Sequence, residues 1–250
     1  MRAVKTTSSL GRLSAAGRLR RLNVAALLAT TMMVVQLVIL GEALAHENPS
    51  RVIESAVIIH YHRDGKLVPT CSGANVALPQ GNRIVTAGHC LLRRTAYYAK
   101  DVRGNTYTLR LEAADRTAHD YALFTSSAAY LLPALELAHL PAGIDDLVFM
   151  AAAPAALNLQ LYRGYVTGYA HPLSELADNW QGALIVDIGA AQGSSGGVVT
   201  NERGEALGIL SGTFEVPDGF PPRHARLTFP GYFVVPMPLA PAAPTAEDLR

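Results

Sequence analysis

Gly193-Ser194-Ser195-Gly196-Gly197 is the stretch from which the rest of the chain is read. By itself it is a glycine-serine loop of a common kind. Its surroundings say more. Val198-Val199-Thr200 and Ala206 to Thr213 flank a turn at Asn201-Glu202-Arg203-Gly204, so the loop feeds a hairpin. The same alternation runs outward in both directions. Upstream lie Val52 to His62, Leu67 to Ala77, Arg83 to Thr86, Tyr97 to Val102, Thr106 to Glu112, Tyr121 to Thr125, Leu147 to Ala151, Leu159 to Tyr169 and Ala183 to Ile188. Downstream lies Tyr232 to Val235. Arg63-Asp64-Gly65-Lys66 and Arg103-Gly104-Asn105 read as hairpin turns. Many short strands punctuated by Gly, Pro and Asn predict an all-β fold, a barrel or a sandwich. Ala151 to Ala156 is alanine-rich and fits a helix equally well. No repeat of fixed period is present, and nothing marks a second domain.

Two further segments carry chemistry-bearing residues: Val85-Thr86-Ala87-Gly88-His89-Cys90 and His119-Asp120-Tyr121-Ala122-Leu123. A lone His is more often structural than catalytic, and a lone Asp is usually a cap or turn residue. The order His, Asp, Ser is what gives the three segments weight. They resemble the chymotrypsin-like (trypsin-like) serine proteases, especially the bacterial branch. That family places its base in T-A-[AG]-H-C, its acid in a D-x-A-L-like strand start and its nucleophile in G-[DNS]-S-G-G. The resemblance covers about residues 52–235, and Phe229-Pro230-Gly231-Tyr232-Phe233 is similar to the family's P-G-V-Y segment.

The resemblance implies a double six-stranded antiparallel β-barrel over residues 46–235, as two barrel subdomains. It implies a serine endopeptidase in which Ser195 attacks a carbonyl, His89 moves the proton and Asp120 orients the imidazole. The N–H groups of Gly193 and Ser195 would form the oxyanion hole. It also implies a disulfide, because the family's Cys after the His pairs with a Cys before a Ser-Gly step, and Cys71-Ser72-Gly73 supplies one for Cys90. Primary-pocket positions map to Gly189, Ser211, Gly212, Thr213 and Gly231. Gly189 stands where an Asp would select Lys or Arg, so a neutral pocket and an apolar or small side chain at the cleavage site are expected. The acid that receives a new N-terminus in zymogen members is replaced by Ser194, so no activation by N-terminal insertion is expected.

The substrate expected is a protein or peptide, and no cofactor or metal is expected. His60 and His62, two apart on a strand, share a face and read as two surface histidines rather than metal ligands. His119 reads as a solvent-facing residue, or one that supports its neighbours, rather than as the base. Two other readings compete. The run also satisfies G-x-S-x-G, the elbow of esterases and lipases, but only His224, with Asp218 before it, lies downstream to serve it. A barrel of the same fold used only for binding would usually have lost a triad residue.

The ends of the chain are of a different character. Residues 1–45 hold six of the 21 Lys and Arg and one of the 20 Asp and Glu. The remainder therefore carries 15 basic and 19 acidic residues, a net of −4, which speaks against a nucleic-acid partner. A basic N-terminus, the apolar run Ala25 to Leu40 and Ala43-Leu44-Ala45 have the order of a secretory signal. Residues 1–45 are expected to be a cleaved signal peptide, or else a signal anchor touching the membrane through residues 24–44. Either places the rest of the chain outside the cytoplasm, secreted, periplasmic or anchored. An oxidising compartment suits a Cys71–Cys90 bridge, the alternative being two buried free thiols. Residues 236–250 are Pro- and Ala-rich and are expected to form a disordered tail.

Overall fold

The computed structural model describes residues 31–33, 36, 49–92, 95–116, 119–169, 183–213 and 232–236. The chain divides into two compact units, Met1–His46 and Glu47–Arg250. Of the first, the described residues are helical. Among the described residues no helix is long and apolar enough to cross a membrane. The expected signal segment lies almost wholly outside them, as does the expected 236–250 tail apart from Pro236.

Among the described residues of Glu47–Arg250, twelve strands close two barrels. The first holds β1 (Ala56–Arg63), β2 (Lys66–Leu78), β3 (Gly81–Ala87), β4 (Tyr97–Asp101), β5 (Thr106–Asp115) and β6 (Tyr121–Thr125). The second holds β7 (Leu147–Ala152), β8 (Gln160–Tyr169), β9 (Leu184–Ile188), β10 (Val198–Asn201), β11 (Ala206–Thr213) and β12 (Tyr232–Pro236). The strand orders are β1-β2-β3-β6-β5-β4 and, read from β7, β7-β8-β9-β12-β11-β10. The two barrels thus share one connectivity, and every pairing between barrel strands is antiparallel. Closure leaves neither barrel with an open sheet edge. The expectation of an all-β double six-stranded barrel is met.

Local chemistry explains the turns. Asp64 and Gly65 both adopt positive φ, 49° and 78°, the pair a two-residue hairpin needs to follow the twist of its strands. At the β4–β5 turn the Asp101 carboxylate accepts from the N–H groups of Arg103 and Asn105, from Asn105 Nδ2 and from Tyr107 Oη. Burial acts to raise the Asp101 pKa, but these donors outweigh it and hold the carboxyl below its ordinary range.

Three local expectations change. Val52 to Ser55 is not the start of a strand; Pro49–Ser55 is a short helix and β1 begins at Ala56. Helical spacing turns Val52 inward, where it is 2% exposed in a cluster with Ala56, Ile58, Ala151, Ala153 and Leu159. Tertiary burial outweighs the β-propensity of the Val-Ile pair. The alanine-rich stretch divides between the end of β7 and a tight turn, Pro154–Ala156. His60 is not a surface histidine. It is 9% exposed, and its Nδ1–H donates to the Ile58 carbonyl at 3.1 Å. A register shift against β2 between Ile59 and His60 accompanies this, while His62 stays exposed.

Each barrel has its own core. Ile59, Ile84, Leu123 and Phe124 fill the first, with Phe124 against the Tyr97 ring at 5.5 Å between centroids. Val148, Met150, Val166 and Val186 fill the second. Val198, Ala206 and Ile209, from β10 and β11, belong to the first cluster. The first core therefore extends to β10 and β11 of the second barrel, β10 being the strand that follows the Gly193–Gly197 loop. The connecting segment bonds to both barrels, as Ala77 N–H donates to Leu135 O at 2.9 Å and Ala206 N–H to Glu136 O at 2.7 Å. Asn75 Nδ2 donates to the carbonyls of Ala129 and Leu132 in the same segment.

Candidate active site

The chemistry-bearing residues come from strand ends of both barrels. His89 sits in a single tight turn, Gly88–Cys90, directly after β3. Asp120 immediately precedes β6, which pairs with β3. Strand pairing thus brings residues 31 apart in sequence together. The Asp120 carboxylate grips His89 twice: the backbone N–H donates to Oδ1 at 2.7 Å and Nδ1–H to Oδ2 at 2.7 Å. Asp120 adopts φ 46° to do so, a conformation Asp tolerates better than most residues. The Ser211 hydroxyl, from β11, donates to the same Oδ2. With Nδ1 occupied by a carboxylate, Nε2 is the ring nitrogen left for proton exchange. The imidazole is 45% exposed and the carboxylate 14%, so the imidazole faces solvent over a shielded carboxylate.

Cys71, in β2, and Cys90 form a disulfide with their Cα atoms 6.1 Å apart. A ring nitrogen of His89 lies within 4.8 Å of both sulfurs. Both sulfurs are consumed by the bridge, so this group has no thiolate to offer a metal. The bridge ties β2 to the turn that carries His89.

The Gly193–Gly197 loop precedes β10. Gly193 and Gly196 have φ of 96° and 82°, which other residues rarely adopt. Gly196 is also pressed against the first barrel. A Cβ there would collide with Thr86 Oγ1 and the Ser72 carbonyl and lie 2.8 Å from Ala87 N. Within the loop, Ser194 N–H donates to Ala191 O, Gly196 N–H to Leu210 O and Gly197 N–H to Ser194 O. Among the described residues the N–H groups of Gly193 and Ser195 donate to no protein acceptor. Two unpaired donors beside a half-buried serine suit a developing negative charge on a ligand. Ser194 is fully buried, and its Oγ accepts from Ala191 N–H at 3.2 Å.

Ser72 was not singled out by its sequence, yet it is the most connected residue of the site. It is fully buried in β2. Its N–H donates to Ser195 O at 2.8 Å and its Oγ–H to Gly193 O at 2.9 Å. Ala153 N–H donates to that Oγ at 2.9 Å, and Thr86 Oγ1–H to the Ser72 carbonyl at 2.6 Å. Nothing in the word Cys-Ser-Gly announces this, since all the partners but Thr86 belong to the second barrel or the Gly193–Gly197 loop.

The expected pocket positions separate. Gly189 follows β9 and is exposed, with the Tyr162 ring of β8 placed 3.3 Å from where a Cβ would be. Burial pushes the Tyr162 phenol pKa up, and its Oη donates to Gln160 Oε1 at 3.0 Å. Ser211 turns its hydroxyl to the Asp120 carboxylate, so its side chain supports that group. Gly212 and Thr213 close β11, and Gly231 lies outside the described residues. His119 is exposed, as expected, and pairs with Asp115 at 2.9 Å. His224 and Asp218, which the esterase reading needs, lie outside the described residues.

Comparison with known proteins places these features. A family model for the trypsin-like peptidase domain matches residues 71–209. Among solved structures, a serine endoprotease from Yersinia pestis matches with a TM-score of 0.56 and 22% identity, over 75% of this chain and 60% of that one. This chain thus spans about 60% of that protein's length, and the likeness concerns the fold. No curated protein matches the chain in sequence.

Proposed function

The chain belongs to the trypsin-like peptidase family, and from that membership we propose that it is an exported serine endopeptidase working through Ser195, His89 and Asp120. Ser195 Oγ attacks the peptide carbonyl as His89 Nε2 takes its proton. The oxyanion is held by the N–H groups of Gly193 and Ser195. His89 then protonates the leaving amine, and water repeats the sequence in reverse order to release the acyl group. Asp120 holds the required tautomer and stabilises the imidazolium as it forms. The substrate is a protein or peptide, and the floor residue Gly189 makes the primary pocket neutral.

The observation that carries this reading is the double grip of Asp120 on His89, backbone and ring. A carboxylate used only as a turn cap would have no need of Nδ1. The test is labelling with a fluorophosphonate probe, mapped by mass spectrometry, together with cleavage of a peptide library. Labelling at Ser195 that is lost in His89→Ala and kept in His224→Ala supports the triad. Loss with His224→Ala but not with His89→Ala moves the chain to the esterase arrangement. A folded protein that neither labels nor cleaves is a binding module. Export is read from residues 1–45, and N-terminal sequencing of the protein recovered outside the cytoplasm tests it. A mature chain beginning at His46 is expected, and recovery from the cytoplasm with Met1 intact overturns export.

A further inference from the structure

Every peptide plane from Gln192 to Gly196 is held by one donor on its carbonyl side. Ala155 N–H donates to Gln192 O at 2.6 Å, Ser72 Oγ–H to Gly193 O at 2.9 Å, Gly197 N–H to Ser194 O at 3.0 Å and Ser72 N–H to Ser195 O at 2.8 Å. In a trans peptide the carbonyl and the following N–H point in opposite directions from one rigid plane. Holding the Gln192 carbonyl therefore aims the Gly193 N–H, and holding the Ser194 carbonyl aims the Ser195 N–H. Within the Gly193–Gly197 loop these are the two N–H groups that donate to no acceptor among the described residues. Only one of the four holding groups lies in the loop itself.

The other three come from outside it, two from Ser72 and one from the turn between β7 and β8. That turn is joined to Ser72 as well, through Ala153 N–H to Ser72 Oγ at 2.9 Å. Ala155 presents its N–H from φ 51°, ψ 24°, a left-handed conformation that alanine adopts only where its surroundings require it. We propose that Ser72 and the Ala153–Ala155 turn form a latch that holds the oxyanion loop in its working conformation, with Ser72 as a positioning residue. No charge takes part. Ser194, where an acid would otherwise anchor the loop, is satisfied locally by Ala191. The latch rests on the peptidase reading above and deepens it, making the loop's competence depend on a surface turn rather than on a freed N-terminus.

The test compares the full-length protein, Ser72→Ala, and a Gly-Gly insertion between Ala155 and Ala156 in that exposed turn, with Ser195→Ala as the blank. Four quantities are read: kcat and KM on a peptide substrate, affinity for a peptide boronic acid, and melting temperature. Ser72→Ala removes two buried bonds, to Gly193 O and from Ala153 N–H, and the insertion displaces the bond from Ala155 N–H to Gln192 O; each should lower kcat and boronate affinity about tenfold or more, with KM little changed. A merely structural serine would lower the melting temperature and leave kcat and boronate affinity of the folded enzyme intact, which overturns the latch. If Ser72→Ala does not fold, the insertion decides on the same criterion. An active wild type with indifferent variants overturns the latch alone. An inert wild type, unlabelled at Ser195, overturns the peptidase reading and the latch with it.

Discussion

Single residues set the chemistry through their hydrogen-bond partners. Asp120 is committed to His89 through both carboxylate oxygens. Asp120→Asn keeps the shape but inverts the donor at Nδ1, so kcat is expected to fall about 10⁴-fold, as in the Ser-His-Asp template. Steady-state kinetics below the melting temperature checks it. Gly196 is constrained differently, by contact and by φ 82°. Gly196→Ala drives a methyl into Thr86 and the Ser72 carbonyl, and is expected to cost about 3 kcal/mol or more in urea denaturation. A variant within 0.5 kcal/mol of wild type would mean that the loop is not seated on β2 and β3. The T-A-G-H-C, D-Y-A-L and G-S-S-G-G words were legible because such words bring their own backbone requirements. Ser72 was illegible for the opposite reason, since its partners Gly193, Ser195 and Ala153 lie 81 or more residues away.

Elements carry the stability of the frame. On β1, His60 is enclosed by the sheet; burial lowers its pKa, the Ile58 carbonyl acts to raise it and Lys100 adds to the lowering. Its folded value thus lies below the unfolded value of about 6.5. The neutral imidazole fits the fold, so this stability is fully present above about pH 6.5 and is lost as pH falls through the lowered value. Denaturation midpoints at pH 7.5 and pH 5 are expected to differ in the wild type and to converge in His60→Gln; an unchanged difference refutes the assignment. Between β3 and β5, Arg83 and Glu112 form a two-pronged pair. The hydrogen bond from Arg83 holds the Glu112 carboxyl below its ordinary range. Hairpins were legible where Asp-Gly marked them. The Pro49–Ser55 helix was not, because its Val-Ile pair has strand propensity and only the cluster around Val52 selects the helix.

At the scale of the whole molecule, the Cys71–Cys90 bridge spans a separation of 19 residues and joins β2 to the His89 turn. A loop of that size contributes about 3 kcal/mol. Reduction, or the double Cys→Ser variant, is expected to lower Tm by about 6–12 °C, read by calorimetry with and without dithiothreitol. An unchanged Tm would show that barrel packing alone holds the turn. Strand periodicity, turn residues and short motifs are local properties of the chain, so the all-β character, the order His89, Asp120, Ser195 and the family were legible in the sequence. Four features were legible in no local word: Asp120 takes both the backbone and the ring of His89, Ser211 bonds to the same carboxylate, His60 is buried, and Ser72 with the β7–β8 turn bonds to the loop around Ser195. Each of these depends on which distant backbone groups two closed barrels bring face to face. The Gly193–Gly197 run states what a loop needs to be, and Ser72 of the first barrel together with Ala155 of the β7–β8 turn supplies bonds that keep it so.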